Sequence, residues 1–157
     1  MRKRSKYKPR PIITDPITYT IASVQPITKY GSHILDLKIK NHSAMTSLLY
    51  GTATRQDIDV LINMCNVVEA LYRLGFGKEY KSVVFKGLNA LYDIGNRGYS
   101  TNKFACKLPE VAAMNELMEL HDAQMDVITV RDMEKALTLV QQEFRLKKMR
   151  KLGETND

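Results

Sequence analysis

Cysteine is scarce in this sequence: only Cys65 and Cys106 occur in a chain of 157 residues. Two thiols in separate predicted elements build no disulfide framework, and they fall short of the ligand number and finger-like spacing of a zinc site. They read instead as small core residues in a reducing compartment. Histidine is nearly as sparse, with His33, His42 and His121 alone. No Gly-rich phosphate cradle, nucleophile elbow or Ser/His/Asp set accompanies them, so the chain reads as a non-enzyme without cofactor or metal. Long apolar runs are missing too, none approaching the ~20 residues that span a bilayer. The basic start leads into Pro11-Ile-Ile-Thr-Asp-Pro16, too short and interrupted for the apolar stretch of a signal peptide. These absences point to a soluble, intracellular protein with no membrane partner. Eight glycines and five prolines are too few for extensive disorder. Four of the prolines (Pro9, Pro11, Pro16, Pro26) fall early and mark that stretch as irregular.

What the chain does have is positive charge, and it is unevenly placed. The first ten residues carry Arg2, Lys3, Arg4, Lys6, Lys8 and Arg10 with no acid. The last thirteen carry Arg145, Lys147, Lys148, Arg150 and Lys151 against Glu154 and Asp157. The residues between hold 13 Lys/Arg against 15 Asp/Glu, so the net +7 resides at the two ends. A cationic arm on a near-neutral body suits a polyanionic partner. Arg and Lys interleaved with Tyr7 can neutralise phosphates while the ring stacks on a base or sugar. Pro9 and Pro11 favour an extended path for that arm.

The body reads as all-α. Asp15 and Pro16 are an N-cap and first-turn pair opening a short helix over Ile17–Val24, although its β-branched residues also fit a strand. Residues 32–50 alternate like a strand at first, then continue as a helical stripe (Leu37, Ala44, Met45, Leu48, Leu49) up to Gly51, and one helix is expected. Thr54 and Asp57 form a capping-box pattern before a helix to Leu74 with an apolar face of Ile58, Leu61, Ile62, Cys65, Val68, Leu71 and Tyr72. The next helix is expected over 79–96, buried through Tyr80, Val83, Val84, Leu88, Leu91 and Tyr92. Gly95 and Gly98 loosen its end, residues 98–102 form a loop, and 103–108 a short extended piece. Pro109 opens a long helix to Ile128. Thr129 and Asp132 repeat the capping pattern before a last helix, Val130 to about Lys148, with Leu137, Val140, Phe144 and Met133 on its apolar side. The sum is a single bundle-like domain of four to five helices: a basic arm over 1–14, a helical domain over 15–148 and a C-terminal tail over 149–157.

Three constellations carry the candidate chemistry. The arm, with Tyr7, and the C-terminal cations Arg145, Lys147, Lys148, Arg150 and Lys151 are candidate nucleic-acid contacts. The C-terminal run, read as a continuation of the last helix, also complements that helix's dipole. Along the Pro109 helix, Glu119, Asp122 and Asp126 share an acidic stripe with Glu116 one turn before. His121 lies five residues after Glu116 and two after Glu119, which is wrong for a carboxylate-bridged metal pair. The stripe therefore reads as a solvated face pairing with cations such as Arg131 and Lys135, and His121 as a satisfied, half-buried residue. Glu119, His121, Asp122 and Gln124 remain candidates for contact with a protein partner. A helix-turn-helix is disfavoured, because neither helix after Gly77 or Thr129 starts with a basic, polar turn suited to reading bases.

Five stretches together resemble a family of small proteins encoded by tailed phages and prophages. They are Met1-Arg-Lys-Arg-Ser-Lys-Tyr-Lys-Pro9, Leu37-Lys-Ile-Lys-Asn-His42, Ala53-Thr-Arg-Gln-Asp-Ile-Asp59, Glu119-Leu-His-Asp-Ala-Gln124 and Thr129-Val-Arg-Asp-Met-Glu134. The resemblance implies a phage product acting in the cytoplasm of an infected bacterium. By analogy with small non-enzymatic phage proteins, two roles follow: a nucleic-acid-binding regulator of phage transcription or replication, or an inhibitor of a host factor or defence complex. The second role calls for an exposed apolar patch, expected on the Met-rich side of residues 114–125, which also suits a homodimer.

Overall fold

The computed structural model describes residues 16–150 and residue 152, and every regular element among them is helical. In chain order these are α1 (Pro16–Ser23), α2 (Gly31–Leu49), α3 (Arg55–Leu74), α4 (Lys81–Thr101), α5 (Leu108–Val127) and α6 (Val130–Arg145). Short 3-10 turns over Ile27–Tyr30 and Lys78–Tyr80 lead into α2 and α4. The all-α single domain is as expected. The count is six rather than four to five, one helix for each of the six stretches read as helical. Asp15, expected to cap α1, lies outside the described residues.

Local chemistry sets several boundaries. Ahead of α3, the Thr54 amide donates to Asp57 Oδ2 at 2.8 Å and the Asp57 amide returns to Thr54 Oγ1 at 3.3 Å. Ahead of α6, the Thr129 amide reaches Asp132 Oδ2 at 3.0 Å and the Asp132 amide reaches Thr129 Oγ1 at 3.3 Å. Each pair satisfies two amides that a helix start would leave unbonded. Pro109 sits in the first turn of α5, where its missing N–H costs nothing. Gly75, at φ +108, closes α3 with its amide on Tyr72 O and that of Phe76 on Leu71 O, both at 3.0 Å.

Helix α3 is the axis of the bundle, packing against α2, α4, α5 and α6. A larger core lies between α2, α3, α4 and α5, centred on Leu48, Ile58, Leu61, Val68, Ile94 and Leu117. A smaller one joins the end of α3 to α5 and α6 through Leu71, Met125, Ile128 and Ala136. Each Leu or Ile so buried stabilises the fold by roughly 1.5–3 kcal/mol. The α1–α2 link is tied to the α5–α6 link by backbone bonds, Ile27 amide to Ile128 O at 3.0 Å and Val130 amide to Gln25 O at 3.1 Å.

Four expectations are corrected. Helix α4 does not loosen at Gly95 and Gly98 but runs to Thr101, ending where Asn102 turns left-handed. The glycines are there for close packing: a Cβ at Gly98 would stand 1.9 Å from the Phe104 ring, and one at Gly95 would stand 2.7 Å from Leu152. Helix α6 stops at Arg145, because Lys147 takes φ +53 and bonds back to Phe144 O at 3.1 Å while Lys148 bonds back to Glu143 O at 3.1 Å. This is a Schellman closure with a lysine in the place a glycine usually takes. The inner side of α6 is Ala136 with Met133, Leu139 and Val140, whereas Leu137 and Phe144 face outward. Finally, Met114, Met118 and Met125 are core residues, so no apolar patch is exposed on that side of α5.

Candidate nucleic-acid interface and polar seam

Of the candidate contacts, Arg2, Lys3, Arg4, Lys6, Tyr7, Lys8, Arg10 and Lys151 lie outside the described residues. The others sit at one end of α6. Arg145 is its last residue, and Lys147 and Lys148 follow in the left-handed turn, all three exposed. The run is therefore not a helical extension. It folds back onto α4, where the Arg150 Nη1 donates to Asn89 Oδ1 at 2.9 Å and the guanidinium lies 4.8 Å from the Tyr92 ring centre. Leu152 lies in the slot left open by Gly95. Arg150 and Leu152 thus belong to the packed body rather than to a tail beginning at residue 149.

The segment following the arm is anchored elsewhere. Helix α1 meets α6 at that helix's start, where Arg131 Nη2 donates to Ser23 Oγ at 3.0 Å. The sixteen residues of α6 span about 24 Å at ~1.5 Å each. The attachment of α1 and the C-terminal cations therefore stand at opposite ends of one helix.

The acidic stripe on α5 meets α2, not Arg131 or Lys135. Lys38 Nζ donates to Asp126 Oδ1 at 3.0 Å, and His42 Nε2 lies 2.8 Å from Asp122 Oδ2. Ion pairs this exposed contribute ~0–1 kcal/mol each. Their effect is registry between two helices, because α2 and α5 carry the partners at matching four-residue steps. Glu116 and Glu119 remain on the surface.

His121 and Gln124 are buried, at 1% and 2% exposure, and Asp122 is drawn into the seam. His121 and Gln124 are thereby unavailable as partner contacts, whereas Asp122 stays partly exposed beside His42. Gln124 Nε2 donates to Phe76 O at 3.0 Å and Val68 O at 3.3 Å, fixing the end of α3. His121 is not the satisfied residue expected. Its Nδ1 stands 3.7 Å from Asp122 Oδ1, too far for a hydrogen bond, and neither atom has a bonding partner among the described residues. Burial pushes the His121 pKa below its usual value, opposed by the Asp122 carboxylate.

The thiols are unreactive in kind: burial pushes Cys65 up to about 12 and Cys106 up to about 11, so both are protonated at neutral pH. Among the described residues, no group of three or more His, Cys, Asp or Glu is placed to hold a metal ion. No helix there is long and apolar enough to cross a membrane.

Sequence reasoning missed Asn89, Tyr92 and Gly95, the platform that receives the C-terminal turn. Asn89 and Arg150 are 61 residues apart, and nothing in local spacing announces that pairing. It also missed Lys38 and His42, although their four-residue step matches that of Asp122 and Asp126. Compared with known protein families, curated proteins and solved structures, the chain matches none.

Proposed function

We propose that this is a phage-encoded accessory protein that binds nucleic acid without catalysis, regulating phage transcription or replication in the host cytoplasm. The observation that carries this reading is the segregation of charge: eleven of the 24 cations lie in the two terminal runs, flanking a body that is slightly acidic. Arg145, Lys147 and Lys148 are exposed at the end of α6, which supports their meeting a polyanion alongside the arm.

The test is a salt titration of duplex DNA binding by the full chain and by a chain lacking residues 1–10. If all six arm cations meet phosphates, deletion reduces the slope of log K against log salt by about 5 (~0.9 per contact). Unchanged affinity and slope after deletion refute the reading.

A second reading, inhibition of a host factor or defence complex, is supported by a different feature. Ile17 and Ile21 on α1, with Val24 in the turn that follows it, are 72%, 58% and 50% exposed. Affinity capture from host cells with and without nuclease separates the two. Nuclease-sensitive recovery of many nucleic-acid proteins favours the first, and one stoichiometric nuclease-resistant protein the second.

A further inference from the structure

Between α3, α4 and α6, with the turn after α6 forming part of its wall, lies an open pocket of about 390 Å³. That volume falls within the ~300–1,000 Å³ range typical of small-molecule sites. Its walls are mainly apolar: Ile62 and Cys65 from α3, Leu88 and Leu91 from α4, Leu139 and Val140 from α6. Its charged groups fall into two sets. Glu69 and Glu143 are both bound by Arg73, with Arg73 Nη2 2.7 Å from Glu69 Oε1 and Nη1 on Glu143. One guanidinium thereby faces two carboxylates, which leaves a net charge of −1 on that side of the wall.

Lys148 and Arg150 form the second set, on the side formed by the C-terminal turn. Arg150 is held by the neutral Asn89 amide and the Tyr92 ring, and no carboxylate among the described residues bridges either cation. The five charged side chains of the wall sum to one positive charge. An apolar pocket with two cations that lack a carboxylate partner among the described residues matches a ligand that is apolar at one end and anionic at the other. A neutral apolar ligand leaves those cations unanswered. A polyanion is repelled by the glutamates.

We propose that this cavity is a binding site for a small carboxylate with an apolar body, its charged group on Lys148 and Arg150 and its body against Leu88, Leu91 and Leu139. Asn89 and Tyr92 act as positioning residues by fixing Arg150. The site does not use the terminal arm; it shares Lys148 and Arg150 with the C-terminal cations of the proposed nucleic-acid interface.

The experiment is ¹⁵N–¹H NMR titration of the full chain with decanoate and, separately, with 1-naphthoate, which distinguishes an aliphatic from an aromatic body. Saturable shifts confined to amides around Leu88, Asn89, Leu139 and Lys148 are expected with at least one acid. The uncharged counterparts, decanol and 1-naphthalenemethanol, should bind at least about tenfold more weakly. Lys148→Glu, an exposed change that leaves the core intact, should weaken the acid by about tenfold or more. Arg150→Gln serves as a second variant with the same expected direction. The proposal is overturned if neither acid binds at millimolar concentration, if shifts map to another face, or if charge removal from ligand and protein leaves affinity unchanged.

Discussion

Gly98→Ala separates what the chain favours locally from what the packed structure permits. Gly98 lies inside α4, where helix propensity alone favours alanine over glycine by about 1 kcal/mol. The packing opposes it. A Cβ at this position would stand 1.9 Å from Phe104 Cδ1 and 2.2 Å from Cε1, against the ~3.5–4.0 Å of an ordinary carbon contact. The ring must therefore retreat by about 1.5 Å or more. It has little room to do so, being 3% exposed and set edge-to-face on Tyr99 at a centroid distance of 5.7 Å. Overpacking of this kind costs ~1–3 kcal/mol, and complete expulsion of the ring approaches the ~3–5 kcal/mol of a Phe→Ala deletion. Set against the propensity gain of about 1 kcal/mol, the net expectation is a loss of up to about 2 kcal/mol if the ring shifts in place and about 2–4 kcal/mol if it is expelled. Urea unfolding measures it, as a fall of roughly 1 M in midpoint at unchanged m. In a Phe104→Ala background the clash is gone, so the same substitution should raise the midpoint. Gly31→Ala, where an added Cβ meets nothing within 4 Å, should stabilise by about 0.5–1 kcal/mol. A Gly98→Ala protein as stable as the parent refutes the packing argument.

Two further outcomes follow from the backbone and from His121. Lys147→Gly should stabilise by about 0.5–1 kcal/mol and raise the melting temperature by a few degrees, because glycine holds φ +53 without the strain of a side chain; a lower Tm refutes this. Burial lowers the His121 pKa in the fold, so below the ordinary value of 6.5 the unfolded chain takes up more proton than the folded one and stability contributed by this residue falls as pH drops through 6.5. His121→Leu should therefore reduce the loss of stability between pH 7.5 and 5.5 by at most on the order of 1 kcal/mol, read from urea midpoints at the two pH values, with Asp122, Lys38 and His42 unaltered around the site. An unchanged pH dependence in the variant counts against the assignment.

The parts of the fold legible in the sequence are those fixed by neighbours a few residues apart. Thr54 with Asp57 and Thr129 with Asp132 are capping rings closed within three residues, and both form as the pattern suggests. The buried face of α3 follows from apolar residues at three- and four-residue steps. Helix ends set by distant contacts were less legible. Gly95 and Gly98 have the same residue type as a helix terminator, and only the presence of Leu152 and Phe104 against them shows that they are packing sites. The candidate residues divide in the same way. Arg145, Lys147 and Lys148 are exposed as their charge suggests, while His121 and Gln124, polar letters on an acidic stripe, are drawn inward because the remaining residues on that side of α5 are core.

By itself, the sequence determined the helical class and the confinement of excess positive charge to the two ends, because capping, periodicity and formal charge are properties of short windows or of composition. Only the tertiary structure decided where those ends are anchored, which polar groups are buried and that an apolar cavity opens beside Lys148 and Arg150. Each of these depends on residues tens of positions apart being brought to van der Waals distance, a condition set by the packing of whole helices.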